Sequence, residues 1–364
     1  MEIKRLISLD AFRGFTIAAM ILVNYPGNWS HVYPALLHVD WHGITPTDLI
    51  FPYFLFIVGV AIAYAYTKRI EARVPMRDIY IKLVTRSIKI FAVGIFLNLY
   101  PSFNFADVRI AGVLQRIAVV FLFCGFLFLN ARWKTQAITG AAILIAYWLA
   151  MTLIPTPGFD QPMLEPGQNL AAWFDSKFLP GRMWQGTWDP EGLLSTLPAM
   201  VTTITGMLTG TLLLTKKTWE EKVIFLMVAG FVAASIGGLW DYVFPINKNL
   251  WTSSYVMYTS GLAAMTLGAL IYLVDIRGYS KWTRFGVIYG SNAITVYVLA
   301  GILGYLFYSL KIGDHSLNRH FFELFANTLG MAPKFVSMAY ALLYVGITFI
   351  PAWILYRKQI FIRL

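Results

Sequence analysis

The chain has 364 residues, 58% of them hydrophobic and only 13% charged, with a mean hydropathy of +0.63. A soluble domain carries about 25% charged residues, so an ordinary soluble enzyme is excluded. The net charge of +11 does not point to nucleic acid either, because a basic binding face needs a density of charge that this chain lacks.

A helix that crosses a hydrocarbon core about 30 Å thick needs about 20 apolar residues. Ten stretches qualify, near 11–28, 47–67, 83–101, 110–130, 136–154, 194–214, 223–244, 252–274, 286–309 and 335–356. The chain reads as one all-α polytopic integral membrane domain over residues 1–364, with no low-complexity tract, linker or convincing internal repeat. The start, MEIKRLISLDAFRGF, enters an apolar segment with no small-residue cleavage site, the pattern of a retained first helix. Lys4, Arg5, Arg13, the seven basic residues between 68 and 89, Arg132, Lys134, Lys216, Lys217, Lys222, Arg277, Lys281, Arg284, Arg357, Lys358 and Arg363 fall on one side of these spans. They are 21 of the 29 basic residues. The positive-inside bias predicts that both termini are cytoplasmic.

The opposite loops, 29–46, 155–193 and 310–334, are longer, poor in Lys and Arg, and hold all five histidines: His31, His38, His42, His315 and His320. The most informative stretch is LDAFRGFTIAAMILVNYPGNWSHVYPALLHVDWHGITPTDLIFPYFLFIVG. It sets Asp10 and Arg13 at the inner mouth of the first span, Asn24 near its outer end, His38, Asp40 and His42 in the next loop, and Asp48 at the second span. Histidine suits proton transfer near neutral pH, and an Asn or Asp beside it fixes the tautomer. The residues alone leave open which histidine reacts. They also leave Asp10 and Arg13 free to be a helical pair, and Trp41 an interfacial anchor.

Further on, Gln115 and Arg116 in RIAGVLQRIAVV are polar at membrane depth, which marks a cavity or a buried pair. Cys124, the only cysteine, lies in the apolar run VVFLFCGFLFLN; it reads as packing and excludes an intramolecular disulfide or a multi-cysteine metal site. WDPEGLLSTLPAM brings Asp189 and Glu191 to a helix start, with Trp184 and Trp188 close by in the manner of a sugar site. PINKNLWTSSYV is a tight turn with Asn247 and Lys248. No Walker loop, GxSxG elbow, HExxH or dinucleotide fingerprint occurs, and His38 and His42 lack an assignable third metal ligand.

LDAFRGFTIAAMILVNY, LHVDWHGITPTDLIFPYFLFIVG, DVRIAGVLQRIA, WDPEGLLSTLPAM, PINKNLWTSSYV, GSNAITVYV and YRKQIFIRL, in this order, resemble the transmembrane acetyltransferase family of heparan-alpha-glucosaminide N-acetyltransferase. The version resembled is the bacterial core, whose members are often labelled amino-sugar-associated membrane proteins. The resemblance implies acetyl transfer from cytoplasmic acetyl-CoA, without a metal, to an amino sugar such as glucosamine on the periplasmic side of a bacterial inner membrane. It also implies membrane lipid as surroundings, no nucleic acid, and a homodimer as a possible assembly.

The family's essential histidine falls on His38, as general base or transient acetyl carrier, and its preceding asparagine falls on Asn24. His42 stands where the human member has asparagine, and Ala300 where it has histidine. Asp48, Asp189, Glu191, Asn247 and Lys248 are the acceptor-side candidates on this reading, and Arg13, Arg86 and Arg116 the coenzyme-side ones. Without the resemblance, ten spans with polar residues at depth fit an amino-sugar or N-acetylglucosamine transporter.

Overall fold

The computed structural model describes residues 6–362; Lys4, Arg5 and Arg363 of the charge pattern lie outside the described residues. These form thirteen α-helices: α1 Ile7–Asn24, α2 Ile50–Glu71, α3 Met76–Leu99, α4 Val113–Asn130, α5 Trp133–Leu153, α6 Leu170–Phe178, α7 Leu193–Leu213, α8 Trp219–Trp240, α9 Ser253–Leu270, α10 Arg284–Ser291, α11 Ala293–Tyr308, α12 Leu317–Phe322 and α13 Pro333–Arg357. A small antiparallel hairpin, β1 Lys311–Ile312 with β2 His315–Ser316, precedes α12. The protein is thus an all-helical, polytopic membrane protein.

Eight helices among the described residues are long and apolar enough to cross a bilayer, or nine elements if the bent pair α10–α11 is one span. The expected span 83–101 corresponds to α3, 24 residues long. Its first fourteen residues carry Arg77, Asp78, Lys82, Arg86 and Lys89, too much charge for a uniformly apolar crossing. The expected continuous span 286–309 is corrected: the helix breaks at Asn292, and its halves meet at 73°. Hydropathy averages over 20 residues and cannot register one residue with φ −132° and ψ 41°. The span expected at 252–274 ends in a π-helical turn, Ile271–Ile276, and the long loops hold α6, the hairpin and α12.

Helix contacts follow from small residues, which let backbones approach where lipid supplies no hydrophobic drive. A Cβ on Gly59 would stand 2.0 Å from the Thr203 carbonyl oxygen, and one on Gly206 2.0 Å from that of Phe56, so α2 and α7 are locked face to face. Gly14, Gly286 and Gly290 do the same for α1 and α10. Asp275 completes the start of α1, accepting from the Ile7 and Ser8 amides at 3.2 and 3.3 Å, where free N–H groups favour a carboxylate. By contrast α8 leaves Ile224, Phe225, Val228, Phe231, Val232 and Leu239 exposed, an apolar face suited to lipid tails.

Candidate active site

Two cavities occupy opposite ends of the bundle. The one at the loop-rich end has a volume of about 480 Å³ and is walled by α1 (Thr16, Met20, Asn24), by His38, Asp40 and Thr47, and by Trp184, Trp188, Glu191, Lys248 and Tyr297. That size suits a small ligand, and apolar walls with a few converging polar groups are the usual composition of a binding site.

Within it, His38 Nδ1 lies 2.6 Å from Asp48 Oδ1. Asp48 stands on the short 3-10 turn Pro46–Leu49 that begins α2, closed by a reciprocal Thr45–Asp48 capping box. Its Oδ2 accepts from the Val39 and Thr45 amides at 3.2 and 3.0 Å and from the Thr45 hydroxyl at 2.9 Å. Its side chain is 1% exposed whereas that of His38 is 47% exposed: a fixed buried carboxylate holds an accessible imidazole. This makes Nδ1 the protonated nitrogen and leaves the Nε2 lone pair as acceptor. Lys248 Nζ sits 3.0 and 3.1 Å from the two ring nitrogens and 3.7 Å from Asp48 Oδ1. Burial pushes the Lys248 ammonium below its ordinary pKa, against the Asp48 and Glu191 carboxylates, which favour the charge.

The turn that delivers Lys248 is built on Trp251, whose φ of +53° is rare for a bulky side chain. It is held by complete burial and by an indole N–H donated to Thr202 Oγ1 at 3.1 Å. Asn247 serves the same turn: fully buried, it accepts from the Leu250 amide at 2.9 Å.

A second network closes the cavity's side. Arg109 donates from Nε and Nη2 to Asp189 at 2.8 and 2.6 Å, and also to Glu191, with its guanidinium 5.0 Å from the Trp184 ring centre. Asp189 accepts as well from the Trp184 and Glu191 amides, both at 2.9 Å, so its two oxygens are taken up inside the protein. Glu191 reaches the cavity surface. Arg116, at the same end, is fully buried, donates to Gly192 O and Ser195 Oγ, and lies 5.2 Å from the Trp251 ring centre. Beneath it Asp175 of α6 accepts at 2.8 Å from the amide of Leu193, the first residue of α7. Burial raises the Asp175 pKa to about 6, against the hydrogen bonds and the Arg116 charge.

The other cavity, about 840 Å³, opens at the end where the basic loops gather. Arg13, Arg69, Lys82, Arg86 and Lys89 line it, with Asp10 the one acid in its wall among the described residues. Lys82, Arg86 and Lys89 follow the i, i+4, i+7 spacing that puts three side chains on one helix face. Arg86 lies 5.0 Å from the Phe121 ring centre. The tail after α13 returns to complete this wall: Asn292, at the α10–α11 break, donates to Ile360 O at 3.0 Å and accepts from the Ile362 amide at 2.8 Å, which seats Phe361 and Ile362 on the cavity. A cluster of guanidinium and ammonium groups suits phosphate oxygens.

Of the residues singled out from sequence, Asn24, His38, Glu191 and Lys248 share the outer cavity, and Asp48 stands directly behind His38. Asp189 and Asn247 stand behind its wall. Arg13 and Arg86 line the inner cavity, while Arg116 borders neither. His42 lies beside Asn247, at 3.4 Å, and away from both cavities. Trp184 and Trp188, expected beside Glu191, line the outer cavity with it, whereas sequence reading missed Arg109 and Tyr297; it also missed Arg69, Lys82 and Lys89 as cavity walls. The helical spacing of 82, 86 and 89 was the available signal.

The family model described as "Heparan-alpha-glucosaminide N-acetyltransferase, catalytic" matches residues 5–237. Heparan-alpha-glucosaminide N-acetyltransferase of Homo sapiens is 28% identical over 416 aligned positions, covering 98% of this chain and 59% of that protein. Its counterpart in Mus musculus is 27% identical over 418, covering 98% and 60%. The chain therefore spans about three-fifths of the length of these curated relatives.

Proposed function

From the chain's membership of the heparan-alpha-glucosaminide N-acetyltransferase catalytic family, we propose that it carries an acetyl group from cytoplasmic acetyl-CoA to the amine of a glucosamine-like amino sugar on the far side of a bacterial inner membrane. The observation that carries this reading is the pair of opposed cavities. A cationic one suits the phosphates of coenzyme A, and an indole-walled one holds an accessible, carboxylate-backed imidazole.

The donor's phosphates sit against Arg13, Arg69, Lys82, Arg86 and Lys89, and its thioester points up the bundle toward Asn24 and His38. In direct transfer the acceptor amine attacks the thioester carbonyl: a C–N bond forms, the C–S bond breaks, the amine's proton goes to His38 Nε2, and the coenzyme thiolate leaves and is protonated. In the two-step variant Nε2 attacks the thioester carbonyl, the C–S bond breaks and the coenzyme thiolate leaves; the amine then attacks the acetyl-imidazole, the Nε2–C bond breaks, and the amine's proton passes to the freed Nε2. Asp48 keeps the proton on Nδ1 in either route and stabilises the imidazolium. Glu191, Lys248 and the rings of Trp184 and Trp188 face the sugar, and Asn24 orients the imidazole or the carbonyl.

The test is transfer from labelled acetyl-CoA to glucosamine by purified protein in liposomes, with His38→Ala as control. Transfer by the wild type and none by a folded variant upholds the reading. Sugar accumulation in vesicles without acetylation would replace it with transport.

A further inference from the structure

Forty-four of the 47 cavity-lining positions belong to one end alone: among the described residues, only Phe54 of α2, Ile117 of α4 and Ile294 of α11 line both cavities. They belong to one apolar cluster, and Ile294 owes its place to the break at Asn292, two residues before it. Resting on the acetyltransfer reading above, we propose that these three side chains are the specificity-determining residues for the acyl group, with Phe54 the main stop.

The argument is one of space and chemistry. The coenzyme's charged groups belong in the inner cavity, whereas His38 Nε2 and the amine belong in the outer one. The thioester carbonyl must therefore present itself at the wall the cavities share, and the acyl tail must lie against that wall. No group in it can hydrogen-bond: a phenyl ring and two branched alkyl side chains meet the tail. A methyl group fits such a contact, while each added methylene needs room that a close-packed cluster does not give. Selectivity by an apolar pocket is typically about 10- to 200-fold per methylene. The transfer itself is unchanged: C–N forms, C–S breaks, and the proton passes to His38.

The experiment compares kcat/KM for acetyl-CoA, propionyl-CoA and butyryl-CoA, with glucosamine as acceptor, in the wild type and in Phe54→Ala, Phe54→Leu and Ile294→Val. The expected result is a butyryl-to-acetyl ratio that rises about tenfold or more in Phe54→Ala, and less in the other two, while KM for the coenzyme moiety stays near the wild-type value. Phe54→Trp should lose acetyl transfer yet keep thermal stabilisation by CoA. If Phe54→Ala does not fold, Phe54→Leu and Ile294→Val decide. An unchanged ratio in folded, active variants overturns this inference and leaves the acetyltransferase standing. No acetylation by the wild type overturns both.

Discussion

Asp48 and His38, ten residues apart, meet across 2.6 Å, the carboxylate buried and the imidazole open to the outer cavity. The short helical turn Pro46–Leu49 and its capping box fix the carboxylate, so the imidazole is oriented before any substrate arrives. Asp48→Asn keeps the shape but can present an N–H to the ring, which favours the wrong tautomer. General base catalysis contributes about 10²- to 10⁴-fold; the variant should lose a tenfold or larger part of that in kcat, with acetyl-CoA binding intact. Steady-state kinetics beside CoA-induced thermal stabilisation separates the two effects.

The cationic wall of the inner cavity makes a different prediction. Replacing Lys82 or Lys89 by Ala removes a contact of charge to phosphate, worth about 1.5–3 kcal/mol, so KM for acetyl-CoA should rise about tenfold or more with kcat little changed. The wild-type KM should also rise with added salt. Equal losses of kcat and kcat/KM would instead assign these residues to the reacting end.

At the outer cavity, Trp188 offers an aromatic face to the acceptor and meets the Trp41 ring edge-on at 5.1 Å. Trp188→Ala should raise KM for glucosamine by about fivefold, consistent with the ~1 kcal/mol scale of such contacts, and leave KM for acetyl-CoA alone. Initial-rate measurements with each substrate varied in turn check it.

Asn292 joins the helix break to the tail through two hydrogen bonds. Asn292→Ala should free Ile360–Ile362, opening one wall of the coenzyme cavity. Faster amide exchange in that tail, with a raised KM for acetyl-CoA and unaltered acceptor KM, is the expected combination.

Asp175 predicts a pH effect on stability. Its folded pKa of about 6 stands above its ordinary 3.8, so between those values the folded state holds a proton that the unfolded state has released. Stability then falls as pH rises through that window, by up to about 3 kcal/mol for this one group. Asp175→Asn should flatten that part of the curve, read as melting temperature against pH from about 4 to 7.

Much of this was legible beforehand because it is written in short-range pattern. Apolar runs mark the spans, and the LHVDWHGITPTDLIF block singles out both His38 and Asp48. The chain order did not say that Asp48 faces the imidazole rather than the sugar, because that follows from the reversal at Pro46–Leu49. The depth of Arg116 marks it as a buried pair or a cavity group, but only the fold names its partners Gly192 and Ser195, 76 and 79 residues away, at the end opposite the cationic cavity. Asp189 carried the right chemistry for a sugar ligand, but Arg109 and two amides had already taken its oxygens.

By itself, then, the sequence determined that the chain crosses a membrane many times, which end carries the basic loops, and that the histidines gather in the loops of the opposite end. All three follow from transfer energies and motifs that act over about 20 residues or fewer. Only the tertiary structure decided that Lys82, Arg86 and Lys89 share a cavity with Arg13 and Arg69, that Phe54, Ile117 and Ile294 line both cavities, and that the α10–α11 span breaks at Asn292, where the tail meets it. Those relations join side chains from helices far apart in the chain. They are set by how small residues let helix backbones close on one another, a property of pairs of surfaces that no single segment contains.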